Sequence, residues 1–92
     1  MPERGREPMA AALRYRSGMA APAVVASGRG LIARRIEETA REAGVPVRKD
    51  PGLAQALALL DLGDAVPEAL YVAVAEALAW AYGLDLGATR PR

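Results

Sequence analysis

Apolar positions recur at helical spacing between Leu31 and Ala43. Ile32, Ile36, Ala40 and Ala43 fall on one face and charged residues cover the other, which predicts an amphipathic helix. Glu37 precedes Arg41 by four residues, the favourable order for a helical ion pair, and Gly44 supplies a left-handed stop. Asp50-Pro51 predicts a second helix start: an acceptor at the N-cap, then proline in the first turn. Leu53, Leu57 and Leu60 are its apolar face. Pro67-Glu68 opens a third helix, with Glu68 placed against the positive end of the dipole. Leu70, Val74, Leu78 and Ala81 form one stripe on it, with Ala75 beside them. Tyr71, Ala75 and Tyr82 form a neighbouring stripe, and Gly83 ends the helix.

The strand signals are shorter. Ala23-Val-Val-Ala26, introduced by Pro22 and closed by Ser27-Gly28, reads as a strand. Met9 to Tyr15 fits helix or strand, and its short length and the Ser17-Gly18 turn signal favour strand. Val45-Pro-Val-Arg48 reads as a short strand, restricted to an edge or a strand start because Pro46 has no N–H. Leu62-Gly-Asp64 reads as a loop. The order strand, strand, helix, strand, helix, helix contains one βαβ unit, from Ala23 to Arg48. The fold class is therefore α/β or α+β, with a small sheet of about three short strands and helices packed against it. One domain, residues 9–84, lies between two polar tails, 1–8 and 85–92, which are expected to be flexible.

Composition narrows the chemistry. The chain has 92 residues, 52% of them apolar, enough for one core. With no Phe, that core must come mainly from Ala, Val, Leu and Ile. The abundance of Ala, and of Arg over Lys, reads as coding bias. There is no Cys and no His, which removes disulfides, thiolate zinc sites, thiol nucleophiles and the commonest general base. A net charge of +1 argues against general nucleic-acid binding. No stretch approaches the roughly 20 apolar residues of a membrane helix, and no signal peptide is evident, so a cytoplasmic protein with no direct membrane insertion is expected.

Candidate sites are sparse. Ser27-Gly-Arg-Gly30 lies between a strand and a helix, where a phosphate-cradling loop would sit, with Ala33 at the third glycine position and Asp50 as a candidate acidic partner. A tight turn needing glycine explains it more simply. Asp61 and Asp64 read as a solvated turn, with nothing to complete a metal or acid–base site. Arg34, Arg35, Arg41, Arg48 and Lys49 are interspersed with Glu37, Glu38 and Glu42, as on an exposed helix surface of both signs. Trp80 and Tyr82 point to different sides of the last helix. One is a candidate partner anchor, although core is the simpler expectation for each. No catalytic set, cofactor site or metal site emerges.

Several blocks in series resemble the cytoplasmic domain of FlhB-type flagellar and type III export switch proteins. They are Ala10-Ala-Ala-Leu-Arg-Tyr15, Ala21-Pro-Ala-Val-Val-Ala-Ser-Gly28, Gly30-Leu-Ile-Ala33, Gly44-Val-Pro46, Leu53-Ala-Gln-Ala-Leu57 and Leu70-Tyr-Val-Ala-Val-Ala-Glu-Ala-Leu-Ala-Trp80. The resemblance covers Met9 to Leu84. It implies a non-catalytic interaction module of the export apparatus, at its cytoplasmic face, that binds export substrates of hook or rod type, or gate components. It also implies a part in substrate specificity. The family's Asn-Pro-Thr-His self-cleavage loop is matched by Gly5-Arg-Glu-Pro8, without the asparagine, so no autocleavage is expected. The sequence resembles a stand-alone homologue without the membrane helices and without the strand that precedes the cleavage loop. That implies an open sheet edge where another chain could add a strand, unless residues 1–8 cover it. The family's apolar substrate patch maps onto Ala21, Pro22, Ala75 and Leu78. On that expectation Leu78→Asp abolishes partner binding with the fold intact, whereas global unfolding would place Leu78 in the core.

Overall fold

A hairpin of two antiparallel strands, β1 (Met9–Arg14) and β2 (Ala23–Arg29), carries three helices in the computed structural model, which describes residues 7–83. The helices are α1 (Leu31–Glu42), α2 (Pro51–Ala58) and α3 (Tyr71–Ala81), the last entered through a 3-10 turn at Glu68–Leu70. The expected mixed class of sheet and packed helices is what forms. Of the expected tails, residues 1–6 and 85–92 lie outside the described residues, as does Leu84 at the expected domain end. Pro8 is held at the sheet end, its carbonyl accepting from the Gly30 N–H at 2.8 Å.

The register pairs Met9 with Arg29, Ala10 with Gly28, Ala11 with Ser27 and Ala12 with Ala26. It then shifts, so that Leu13 pairs with Val24 and Arg14 with Ala23. Val25 is the extra residue of this bulge. Because cross-strand partners share a face, Ala11, Leu13 and Val24 look one way, and Ala10, Ala12, Ala26 and Gly28 the other. On the first face Val24, Leu57, Val66 and Val74 form the buried core, with Ala11, Leu13, Leu53, Leu60, Leu70 and Leu78 packed around it. This is the layer of α2 and α3. Helix α1 packs on both strands but gives no residue to that cluster, so it covers the second face.

That second face is floored by small residues, which lets α1 approach closely. The buried residue of α1 is Ala33, with Ile36 and Ala40 half-buried. The predicted stripe of Ile32, Ile36, Ala40 and Ala43 is therefore rotated by one position. Ile32 remains 61% exposed at the edge of the contact, and Ala43 is exposed. Alanine at these positions has a packing role, not merely a compositional one.

The βαβ unit expected from Ala23 to Arg48 does not form. Residues 45–48 make no strand, and the first two have no donor to give one. Gly44, at φ 78°, closes α1 with a Schellman motif: Val45 N–H bonds the Ala40 carbonyl at 2.8 Å and Gly44 N–H bonds the Arg41 carbonyl at 3.1 Å. Pro46 then has no N–H to offer. The third partner of the sheet comes instead from the end of the segment read as a loop, Leu62 to Asp64, and the two residues after it. Ala65 bridges Ala23 in antiparallel sense. Around it Val24 N–H bonds Asp64, Gly63 N–H bonds Val24, and Val66 N–H bonds Pro22, at 2.7–3.0 Å.

The local predictions for helix ends hold. Asp50 caps α2, its Oδ1 accepting from Leu53 N–H at 3.1 Å, with Pro51 in the first turn. Glu37 and Arg41 pair at 3.4 Å on the exposed face of α1, a contact contributing about 0.3–0.5 kcal/mol at most.

Candidate functional site

Helix α3 is apolar almost all round, yet only Val74 and Ala79 are buried. A helix of that kind either lies wholly inside a core or leaves apolar surface unpartnered. Here Val72, Trp80, Tyr82 and Tyr71 are exposed, at 75%, 47%, 60% and 42%. Trp80 and Tyr82 are thus surface residues, contrary to the simpler expectation of core. The layer of α2 and α3 has one sheet face to cover, and Val74 with its neighbours suffices.

The Tyr71 side of α3 faces the loop that joins β1 to β2. Between them lies a groove of about 250 Å³. Tyr15, Ala20 and Pro22 line it from the loop. Tyr71, Val74, Ala75 and Leu78 line it from α3. Pro22 stands at the entry to β2, where its carbonyl accepts from Val66 N–H at 2.8 Å and its missing N–H costs no ladder bond. Tyr71, Ala75, Leu78 and Tyr82 succeed one another at intervals of four, three and four, one stripe of the helix.

Three of the four predicted patch residues, Pro22, Ala75 and Leu78, therefore converge on one groove. Ala21 is half-buried beside Pro22 but is not part of the lining. Ala75 is exposed at the groove surface. Leu78 both lines the groove and packs, partly buried, against the core. Residue-level reading missed Tyr15, Ala20, Tyr71 and Val74 as lining. The aromatic stripe of Tyr71, Ala75 and Tyr82 was the available signal for Tyr71.

The other candidates resolve differently. Ser27 and Gly28 belong to β2, paired with Ala11 and Ala10, so the segment is ladder rather than cradle. A side chain built at Gly30 would meet a Glu7 carboxylate oxygen at 3.7 Å, so an acidic group already stands where a phosphate would approach α1. Asp64 accepts from Asp61 N–H at 3.2 Å, a self-contained turn. No cluster of metal-ligating side chains occurs among the described residues. A second depression, between Pro8 and the Arg34, Glu37, Glu38 and Arg41 side of α1, carries both charge signs.

Comparison with known proteins places this arrangement. The family model described as the FlhB, HrpN, YscU and SpaS family matches residues 7–81. The chain is similar to the flagellar biosynthetic protein FlhB of Escherichia coli K12, 48% identical over 75 residues, which are 79% of this chain and 20% of FlhB. It is also similar to YlqH of Bacillus subtilis 168, 43% identical over 65 residues, 71% of this chain and 70% of YlqH. Among solved structures, the PscU C-terminal domain superposes with a TM-score of 0.74 at 34% identity, covering 78% of this chain and 94% of that one. A mutated EscU/SpaS C-terminal domain superposes with a TM-score of 0.78 at 28% identity, covering 83% and 96%. The chain thus spans about a fifth of the FlhB protein it matches and nearly all of these C-terminal domains.

Proposed function

The chain belongs to the FlhB, HrpN, YscU and SpaS family, and on that premise we propose that it is a non-catalytic interaction module of the flagellar-type, or type III, protein export apparatus. It acts at the cytoplasmic face of that apparatus by binding export substrates of hook or rod type, and so affects substrate specificity. Gate components are the other partner class. No helix among the described residues is long and apolar enough to cross a membrane.

The observation that carries the reading is the convergence of Pro22, Ala75 and Leu78 on one apolar groove. Its volume of about 250 Å³ lies below the usual few hundred to a thousand Å³ of small-molecule sites. It suits one anchoring side chain of a partner. The occupant we assign is an apolar side chain on an extended segment of an export substrate, an anchor-in-pocket contact of the kind that dominates interface energetics. The chain contains no asparagine, histidine or cysteine, which supports a role by contact and without self-cleavage.

The sheet offers a second contact surface. Among the described residues β1 has β2 as its only ladder partner. Ladder alternation, anchored by the Gly30–Pro8 bond, directs the N–H groups of Met9 and Ala11 outward. A strand added there would bond both.

The test is capture of hook and rod subunits by the intact chain and by Ala75→Asp, both checked for folding. Retention by wild type and loss by the variant is the expected result. Equal retention removes the groove from the reading, and a folded wild type that retains neither subunits nor gate components overturns it.

A further inference from the structure

Tyr15 and Tyr82 lie 67 residues apart, and the Tyr82 hydroxyl donates a hydrogen bond to the Tyr15 carbonyl oxygen at 3.2 Å. The other side-chain hydrogen bonds among the described residues are local, between positions three or four apart. Among the described residues it is the one hydrogen bond that ties the C-terminal end of α3, at its cap residue Tyr82, to the loop forming the opposite wall of the groove. The loop has an internal turn, Met19 N–H to the Arg16 carbonyl at 3.1 Å, and an anchor at its far end, Val66 N–H to Pro22. Neither bond fixes the distance from the loop to α3.

Tyr82 does not line the groove. It stands one turn beyond Leu78, on the same stripe as Tyr71 and Ala75. Its hydroxyl reaches the backbone of Tyr15, whose ring is a groove wall. We propose that Tyr82 is a positioning residue that sets the width of the groove by tethering Tyr15 to the end of α3, and so limits the size of the apolar side chain the groove accepts. The selectivity part rests on the docking reading above. The tether itself does not.

Two variants separate the contributions. Tyr82→Phe removes the hydroxyl and leaves every lining side chain in place. Tyr15→Ala removes a wall but keeps the carbonyl acceptor. The experiment follows backbone amides of the full chain by NMR during titration with two capped pentapeptides of glycine and serine, one with a central leucine and one with a central tryptophan. Amide hydrogen exchange at Met19 and Ala20 is measured without peptide.

Wild type is expected to favour the leucine peptide. In Tyr82→Phe the leucine-to-tryptophan affinity ratio falls by about twofold to fivefold, as suits one exposed hydrogen bond. Exchange at Met19 and Ala20 quickens in the same variant. Tyr15→Ala weakens leucine binding without quickening exchange at Met19. Unchanged exchange in Tyr82→Phe overturns the tether. Faster exchange with an unchanged peptide ratio overturns the selectivity. If neither peptide shifts a groove amide in wild type, the docking reading and the selectivity fail together, and exchange still decides the tether.

Discussion

Gly28 on β2 lies directly beneath Ile32 of α1: a Cβ built on Gly28 would stand 2.9 Å from the Ile32 Cβ and closer still to its Cγ2. Both crowding atoms sit on or beside a branched carbon near the helix backbone, so the neighbour has little room to swing away. The glycine is a packing requirement of the α1 face of the sheet. Gly28→Ala is expected to destabilise the fold by about 1–3 kcal/mol, the usual range for overpacking. Ile32→Ala in the same chain should recover part of that loss, since Ile32 is largely exposed and has little burial to lose. Chemical denaturation of the two single variants and the double variant measures the coupling. Additive losses would mean that the two residues do not share the contact.

The same placement bears on phosphate. With the Gly28 and Gly30 N–H groups turned toward β1 and Pro8, the Ser27 and Arg29 N–H groups spaced along an extended strand and Glu7 beside Gly30, the segment has neither a convergent amide cradle nor a favourable field for an anion. Titration with inorganic phosphate is expected to leave the Ser27–Gly30 amides unshifted in an amide NMR spectrum. Shifts confined to those four residues would revive a phosphate-binding role.

Asp50 is a cap with one identified bond, to Leu53 N–H. Asp50→Ala leaves that donor unpartnered at a part-buried site, and a loss of about 0.5–2 kcal/mol is expected. Asp50→Asn, which keeps an acceptor oxygen, should restore most of it. Because α2 contributes Leu57 to the core but nothing to the groove, neither change should alter groove binding. The thermal midpoint and the helical circular dichroism signal read the first effect, and peptide titration the second.

What was legible in the sequence follows the range of the interaction. The Asp50 cap, the Gly44 stop and the Glu37–Arg41 pair are decided within a few residues, and each appears where spacing places it. The supposed strand at Val45–Arg48 failed for a local reason visible only once the cap is drawn: the Schellman motif takes the Val45 N–H just before a proline. The segment 63–66 joined the sheet because β2 had an open side there and Val66 a core to fill, neither of which a four-residue window reports. On α1, periodicity placed the apolar face to within one residue. The small residues of the facing sheet then selected Ala33 over Ile32. The groove is the least local feature. Spacing showed that Tyr71, Ala75 and Tyr82 share a stripe, whereas the arrival of Tyr15 and Pro22 opposite them is a property of the assembled fold. Only the family resemblance joined Pro22 to Ala75 and Leu78 in advance.

Ala75 and Leu78 share the groove but not the core, and that difference separates binding from folding. Leu78 packs against the buried cluster of Val24, Leu57, Val66 and Val74. A carboxylate there would stand partly buried among apolar neighbours without a partner, so Leu78→Asp is expected to destabilise the domain by about 2–4 kcal/mol. Ala75 is exposed, and Ala75→Asp should change stability by no more than about 0.5 kcal/mol. Yet its carboxylate would stand at the mouth of an apolar site, and an incoming apolar side chain would have to strip water from it. A loss of about 1.4 kcal/mol from that desolvation alone corresponds to tenfold weaker binding. Denaturant midpoints and subunit capture, measured on both variants, should therefore move in opposite patterns: stability lost in Leu78→Asp, and binding lost with stability kept in Ala75→Asp. A folded Ala75→Asp that binds as wild type would move the partner surface away from the Tyr71 side of α3. The outward amides of Met9 and Ala11 would then be the place to look.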